Sequence, residues 1–145
     1  MASDVNSDTN LKQAVPFFSV SNIQESVRYY VDDLGFTMTN RWLDGGRLRW
    51  CWLQRGGAAL MLQEFPKEGH DAWTPTGKVG AGVAIYFICA DALAIFREAT
   101  ARGLPATRPF VGNGMWVTTL ADPDGYVIHF ESLTDAPEGT EYPKE

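Results

Sequence analysis

Apolar and polar residues alternate in the first half of the chain in a pattern that predicts a strand, a helix and a hairpin. The segment VPFFSV, residues 15–20, is rich in β-branched and aromatic residues and is typical of a strand. Asn22, followed three positions later by Glu25, predicts the start of a helix that ends at Gly35 and has its apolar residues on one face. The runs RLRWCWL and AALMLQEF, on either side of residues 54–57, predict two strands joined by a hairpin loop.

The same order of elements is repeated in the second half. Residues 83–88 predict a strand, Asp91 predicts the start of a helix that ends at Gly103, and MWVTTLA and YVIHFES predict a hairpin across residues 122–125. A shift of 68 positions superimposes the two copies at four landmarks. The landmark pairs are Val20 with Ile88, Gly35 with Gly103, Gly57 with Gly125, and Met61 with His129.

The repeat predicts an α+β fold in which two tandem βαβββ modules form a curved mixed sheet. We expect a single domain over residues 13–133. Its segments are module one at 13–66, a linker at 67–82 and module two at 83–133, with flexible polar tails at 1–12 and 134–145. The linker carries Trp73, which is interpreted either as a lid over a ligand or as a side chain that packs the linker onto the domain.

The composition narrows the kind of protein and of ligand. With 45% hydrophobic residues and no apolar run near the length of a membrane span, the chain is expected to be soluble and to bind no membrane. The polar N-terminus has no signal-peptide pattern, so we expect a cytoplasmic protein with Cys51 and Cys89 as reduced thiols. A net charge of −6 without a basic patch argues against nucleic acid as a partner and favours cationic ligands.

Two segments of the sequence resemble a known superfamily. AVPFFSVSNIQESVRYYVDDLGF resembles the opening strand and helix of the vicinal-oxygen-chelate superfamily, which includes glyoxalases, bleomycin-resistance proteins and extradiol dioxygenases, and LADPDGYVIHFES resembles its closing hairpin. Metalloenzymes of that superfamily hold one divalent ion with His and Glu side chains on the first and last strands of each module. The corresponding positions here are Val15, Met61, Val83 and His129. Because only His129 could ligate a metal, the resemblance implies a fold without the inherited metal site and without a cofactor.

Within the superfamily the sequence resembles the bleomycin-resistance proteins most. Their first strand similarly opens with Ala-Val-Pro, as residues 14–16 do here, and their last strand similarly carries an apolar residue, His and Phe, as residues 128–130 do. Those proteins bind the drug without changing it, and they are dimers that exchange the N-terminal strand and share two ligand grooves. The resemblance therefore implies a homodimer with a role in antibiotic resistance and no catalytic residues.

Strand parity assigns the residues of the groove. If Met61 and His129 face it, every second residue of the same strands faces it too. The pairs that a four-residue loop in each hairpin gives are Trp50 with Met61, Trp52 with Ala59, Thr118 with His129, and Trp116 with Glu131. By the same parity the floor carries Val15, Phe17, Ser19, Val83, Ile85 and Phe87. The expected ligand-binding residues are Phe17, Trp50, Trp52, Met61, Gln63, Phe87, Trp116, Thr118, His129 and Glu131.

These residues support one leading hypothesis and leave others open. The leading hypothesis is a metal-free protein that sequesters a planar, cationic ligand, such as a bleomycin-like glycopeptide, by stacking in an aromatic groove. The alternatives are a metal-dependent lyase, isomerase or dioxygenase, and a binder of an unrelated metabolite. The tryptophans are also interpreted as core or dimer-interface residues, His129 as a residue that only hydrogen-bonds Thr118, and Glu131 as a solvated carboxylate.

Overall fold

A computed structural model describes residues 9–66, 68–70, 72–73 and 75–143, and within them the chain folds as two successive βαβββ modules. Module one consists of β1 (Phe17–Val20), α1 (Ile23–Val27) continued by a π-helix (Arg28–Asp33), β2 (Thr37–Asp44), β3 (Arg47–Arg55) and β4 (Ala58–Glu64). Module two consists of β5 (Ala84–Ile88), α2 (Ala92–Ala101), β6 (Thr107–Gly112), β7 (Met115–Ala121) and β8 (Val127–Leu133). The predicted α+β fold of tandem modules is confirmed. No helix in the described segments is long and apolar enough to span a bilayer.

Each module forms its own four-stranded sheet with a helix on one face. The strand order is β1-β4-β3-β2 in module one and β5-β8-β7-β6 in module two, and the first and last strands of each module are parallel neighbours. Strand residues alternate between the helix-covered face and the opposite face, which we call the open face of the module. The helix-covered faces supply most of the core, including Phe18, Val20, Cys51, Leu53, Leu60, Leu62, Ile128 and Phe130. Cys51 and Cys89 form no disulfide, and burial raises the pKa of Cys51 to about 11.

Both helices are anchored at their start by the last strand of their module. They begin at the predicted cap residues, Asn22 and Asp91. Ile23 N donates to Glu64 Oε2 at 3.0 Å, and Ala92 N donates to Ser132 Oγ at 2.8 Å. The first N–H groups of a helix have no acceptor within the helix. In each module a side chain of the last strand supplies such an acceptor.

The two copies are not related by one constant shift. The helix caps Asn22 and Asp91 are 69 positions apart, whereas the glycines that follow the helices, Gly35 and Gly103, are 68 positions apart. The helix of module one ends in the π-helix at Arg28–Asp33, and a π-helical turn holds one residue more than an α-helical turn. The π-helix therefore absorbs the extra residue.

The strands before the helices follow the shift of 69. The predicted equivalence of Val20 with Ile88 is therefore wrong, because Val20 is buried in the core whereas Ile88 is 67% exposed. Phe18 and Phe87 are the equivalent pair, since each lies on the helix-covered face beside a core residue of the last strand. The predicted face of every β5 residue is reversed as a result.

The turn between β7 and β8 joins the two modules. Buried Asp122 accepts hydrogen bonds from Tyr30 Oη at 2.7 Å and from the backbone N–H groups of Asp124 and Tyr126 at 2.9 Å each. Asp124 accepts hydrogen bonds from Ser21 N at 3.1 Å and from Ser21 Oγ at 2.6 Å. Burial raises the pKa of Asp122, and burial together with the nearby Asp122 carboxylate raises the pKa of Tyr30. The turn thus holds module two against the helix and first strand of module one.

The linker packs onto the domain at both of its ends. Trp73 N donates to Pro66 O at 2.8 Å, and the Trp73 ring meets the Phe65 ring edge to face with centroids 5.1 Å apart. Gly80 passes so close to the β7–β8 turn that a Cβ atom there would clash with Tyr126 N. The ring contact with Phe65 agrees with the packing interpretation of Trp73, and 43% of the residue stays exposed.

The segment after β8 lies along the outer edge of β6. Val111 N donates to Thr140 O at 2.9 Å, and Tyr142 N donates to Pro109 O at 2.8 Å. Residues 134–143 were expected to belong to a flexible tail, but this segment hydrogen-bonds to the sheet. An edge strand offers unpaired backbone groups, and the segment supplies partners for them. The first eight residues and the last two lie outside the described part of the chain.

Candidate functional site

The open face of module one carries aromatic side chains on neighbouring strands. Strand pairing places Trp52 beside Met61 and Trp50 beside Gln63. Phe17 lies beside Met61 on the other side, and it is 49% exposed. These five predicted site residues therefore share one surface, which is not covered by the helix.

The predicted pairing of β3 with β4 is nevertheless wrong by two residues. Arg55 pairs with Ala58 across a two-residue turn, so Ala59 lies opposite Gln54 instead of Trp52. A strand has a side-chain period of two, so this error leaves each residue on its predicted face.

Trp42 extends the aromatic row to the outer strand. The register pairs Trp42 with Trp50 and Asn40 with Trp52. Trp42 is 54% exposed. The hydrophobic pattern does not single it out, because β2 has no clear alternation. The signal for β2 is the glycine pair Gly45-Gly46, since two residues with positive φ form the tight turn of a hairpin.

The polar side chains between these rings are uncharged amides. Trp52 Nε1 donates to Gln54 Oε1 at 3.1 Å, which orients the indole ring. Asn40 and Gln63 lie on the same face beside Trp52 and Trp50. Flat rings with amide donors and acceptors between them suit a planar ligand that carries its own hydrogen-bonding groups.

One end of this face opens into a cavity of about 530 Å³. Its lining includes Trp42 and Gln63 together with the charged residues Arg47, Arg49 and Glu64. The buried carboxylate of Glu64 lies 2.6 Å from Arg47 Nη2 and 3.9 Å from Arg49 Nη1. The neutral aromatic row thus ends at a group of mixed charge.

The open face of module two carries different groups. The rings of Tyr86 and His129 stack with centroids 4.2 Å apart, and Thr119 Oγ1 lies 2.8 Å from His129 Nδ1 in a hydrogen bond. Glu131 follows on the same face, and Ile88 lies beside it on β5. Burial lowers the pKa of His129, and the charge of Glu131 opposes this change. This face therefore combines one aromatic pair with a carboxylate.

The predicted pairing of β7 with β8 is wrong by one residue. Ala121 pairs with Val127 across a five-residue turn, so Thr119 lies opposite His129 where Thr118 was expected. An error of one residue moves every side chain of β7 to the other face. The sequence pattern offers no signal for it, because a turn of four residues and one of five read alike.

Two predicted site residues are consequently placed away from the open face. Trp116 lies opposite Ser132 and packs partly buried against the core. Thr118 is fully buried, and its hydroxyl donates to Ala92 O at 2.8 Å at the start of α2. Thr118 thereby ties β7 to the start of α2.

Phe87 also lies on the helix-covered face, because of the shift of one residue in β5. Its ring lies 5.7 Å from that of Phe130 and 5.8 Å from that of Phe36, measured between centroids. Ile85 shares this face, and Val83 precedes the strand. Phe87 lines a separate cavity of about 730 Å³ between the modules, beside the outer edge of β5.

The residues at the metal positions do not fit a catalytic divalent ion. Phe17 lies beside Met61 and Tyr86 lies beside His129, while Val15 precedes β1. Of these side chains only the imidazole is a common ligand of catalytic divalent ions. Within the part of the chain that the structure describes, no three His, Cys, Asp or Glu residues group closely enough to hold a metal ion.

Comparison with known proteins adds a family and a set of similar structures. Residues 12–130 match the family described as Glyoxalase/Bleomycin resistance protein/Dioxygenase superfamily. Among curated proteins, none matches this sequence at a significant level.

Three solved structures illustrate the similarity of fold. TioX from Micromonospora sp. ML1 is 19% identical with a TM-score of 0.67, over 85% of this chain and 99% of that one. TnmS3, an antibiotic binding protein from Streptomyces sp. CB03234, is 22% identical with a TM-score of 0.64, over 85% and 98%. A bleomycin-binding protein complexed with bleomycin is 19% identical with a TM-score of 0.66, over 86% and 100%. At these identities the shared property is the fold.

Proposed function

The chain belongs to the glyoxalase/bleomycin resistance protein/dioxygenase superfamily, and from that premise we propose that it is a non-catalytic binding protein that sequesters a planar, cationic small molecule. The observation that carries the proposal is the row of Trp42, Trp50 and Trp52 on the open face of module one. Two of the similar structures are named for binding an antibiotic or bleomycin, which favours this class of ligand.

Stacking supplies the main attraction in this proposal. The three indole rings occupy neighbouring positions on β2 and β3, and Phe17 and Met61 continue the surface across the sheet. An aromatic pair contributes roughly 0.5–1.5 kcal/mol beyond the area that it buries. A ligand that contacts two or three rings would therefore gain affinity without any covalent or metal contact.

The charge of the ligand is inferred from the groups around the rings. The open face of module one carries amides, and that of module two carries the carboxylate of Glu131 beside His129. The chain as a whole has a net charge of −6. These features favour a cation, which Glu131 would pair and the indole rings would also attract.

We further propose that the protein is a homodimer in which the open face of module one of one protomer meets that of module two of its partner. Both faces leave large apolar side chains exposed, and such patches on soluble proteins mark interaction sites. The exposed residues on these two faces are Phe17, Trp42, Tyr86, Ile88 and Leu133. The proposed partner face would place Glu131 within a groove bounded by the tryptophans.

Ligand titration tests the binding proposal. Bleomycin and a simple planar dication are titrated against the wild type, Trp42→Ala, Trp50→Ala, Glu131→Gln and, as a matched control, Trp116→Ala. Losing a ring that contacts the ligand should weaken binding by roughly 1–3 kcal/mol. Trp116→Ala should leave affinity unchanged in folded protein. Equal affinity of all folded variants, or no binding of either cation, contradicts the proposal.

Sedimentation velocity tests the dimer. The wild type should sediment as a dimer at micromolar concentration, and Ile88→Glu should shift it towards monomer because a charge is buried in an apolar contact. Gln24→Glu, on an exposed part of α1, is the control and should stay dimeric. A monomeric wild type would contradict the proposed groove, although a single open face could still bind a ligand.

A further inference from the structure

A cavity of about 630 Å³ lies on the outer side of module two, away from both open faces. Its walls come from the exposed flank of α2, the start of β6 and the segment that follows β8. Its lining includes Phe96, Arg97, Thr100, Arg108 and Tyr142. None of them belongs to the aromatic surface proposed above.

The segment after β8 builds one wall of this cavity. Tyr142 N donates to Pro109 O at 2.8 Å, and Phe110 forms a backbone bridge with Glu141. The rings of Phe96 and Tyr142 meet at an interplanar angle of 61° with centroids 5.2 Å apart. The hydrogen bonds and the ring contact fix the segment at its edge of the cavity, so the cavity has a defined aromatic wall.

Two arginines line the cavity, and no acidic residue is among the described residues that line it. Arg97 Nη2 lies 3.8 Å from Asp91 Oδ2, and Arg108 Nη1 lies 3.6 Å from Glu141 Oε2. Both separations exceed hydrogen-bond distance, and exposed ion pairs of this kind contribute little. The guanidinium groups therefore keep hydrogen-bond donors that an incoming anion could use.

These two arginines line one cavity in a chain whose net charge is −6. Module one carries an arginine at the equivalent helix position, Arg28, 69 residues before Arg97. Among the described residues no segment covers the outer edge of β2, so module one has no matching aromatic wall. The cavity is thus a property of module two alone.

We propose that this cavity is a second binding site, for a small aromatic carboxylate. The planar guanidinium groups of Arg97 and Arg108 would bind the carboxylate through paired hydrogen bonds. The rings of Phe96 and Tyr142 would contact the aromatic part, and Thr100 adds a hydroxyl at the same wall. The site takes an anion, in contrast to the cation proposed for the aromatic face of module one, and it does not depend on that proposal.

Isothermal titration calorimetry with two matched probes tests the site. 2-Naphthoate and its neutral amide, 2-naphthamide, have the same ring system and differ in charge. The wild type should bind naphthoate at least about tenfold more tightly than naphthamide, because hydrogen bonds to charged groups are the stronger ones. The double variant Arg97→Gln/Arg108→Gln should lose this preference.

Two control variants separate this site from the others. Arg28→Gln makes the same charge change on the helix of module one and should leave naphthoate affinity unchanged. Trp50→Ala should also leave it unchanged, because Trp50 lies on the open face of module one. The proposal is overturned if naphthoate does not bind, if naphthamide binds equally well, if the folded double variant binds as tightly as wild type, or if Trp50→Ala abolishes binding.

Discussion

The two modules share one backbone plan but present different chemistry on their open faces. Module one displays Trp42, Trp50 and Trp52 with uncharged amides, whereas module two displays the Tyr86–His129 stack and Glu131. The helix-covered faces are much more alike, since both hold apolar core residues and an acceptor for the first N–H of the helix. The comparison indicates that packing keeps one face of each module uniform while the other face is able to specialise.

Small differences in length produce this divergence. Module one has a π-helix and a two-residue hairpin turn, whereas module two has a regular α-helix and a five-residue turn. Each of these differences shifts a strand by one residue relative to a perfect repeat, which exchanges the residues of its two faces. The tryptophan on β7 consequently packs against the core, whereas the tryptophans on β3 lie on the open face.

The contact between the modules should be the most sensitive to mutation. Asp122→Ala removes the acceptor for Tyr30 Oη and for the backbone N–H groups of Asp124 and Tyr126. We expect a loss of about 2–4 kcal/mol in the free energy of unfolding, because buried donors are left without partners. Urea denaturation measures this loss of unfolding free energy. The control is Asp135→Ala, because Asp135 is exposed. Equal stability of the two variants would mean that the turn does not hold the modules together.

The next largest effect separates the tryptophans of the two modules. Trp116→Ala should lower the free energy of unfolding by about 1–3 kcal/mol, because the ring packs against the core. Trp42→Ala should change it by no more than about 0.5 kcal/mol, because the ring is exposed on the open face. Thermal denaturation of both variants checks the contrast, and the reverse order of stability would show that the register of β7 is incorrect.

A smaller loss of unfolding free energy, similar in the two modules, is expected for the strand residues that accept a hydrogen bond from the first N–H of each helix. Ser132→Ala removes the acceptor for Ala92 N, and Glu64→Ala removes the acceptor for Ile23 N. Each change should cost about 1 kcal/mol, as loss of a helix cap commonly does. Glu64→Gln retains an acceptor oxygen and should recover most of the loss in urea denaturation. Failure of Gln to recover it would assign the effect to the Arg47 ion pair instead.

The smallest expected effect is a pH dependence of the free energy of unfolding that arises from Asp122. Its pKa is raised in the folded state, chiefly by burial, so protonation favours the folded protein. The stability that this group contributes is fully present below its unfolded pKa of about 4 and is lost as pH rises through the folded value. Asp122→Asn should remove that slope. The free energy of unfolding is measured at several pH values for the wild type and for Asp122→Asn. The wild-type value minus the variant value should fall with rising pH.

Much of the fold could be predicted from the sequence, and less of the site. The caps at Asn22 and Asp91 and the hairpin positions are local features, because each depends on residues within one turn. Trp50 and Trp52 lie on their predicted face because an error of two residues in a hairpin preserves parity, and Phe17, Met61 and Gln63 follow the alternation of their own strands. Trp42 could not be predicted in this way, because its strand, β2, shows no alternation. Only the turn at Gly45-Gly46 indicates where that strand lies.

The sequence by itself determined the tandem βαβββ architecture, because repeated local patterns of apolar residues, caps and turns specify the elements and their order. Only the tertiary structure decided the faces of β5 and β7, and with them the positions of Phe87, Trp116 and Thr118. Those faces depend on whether one extra residue enters a π-helix or a turn. The choice is settled by long-range packing, as in the hydrogen bond from Tyr30 to Asp122 between the modules, which no local pattern encodes.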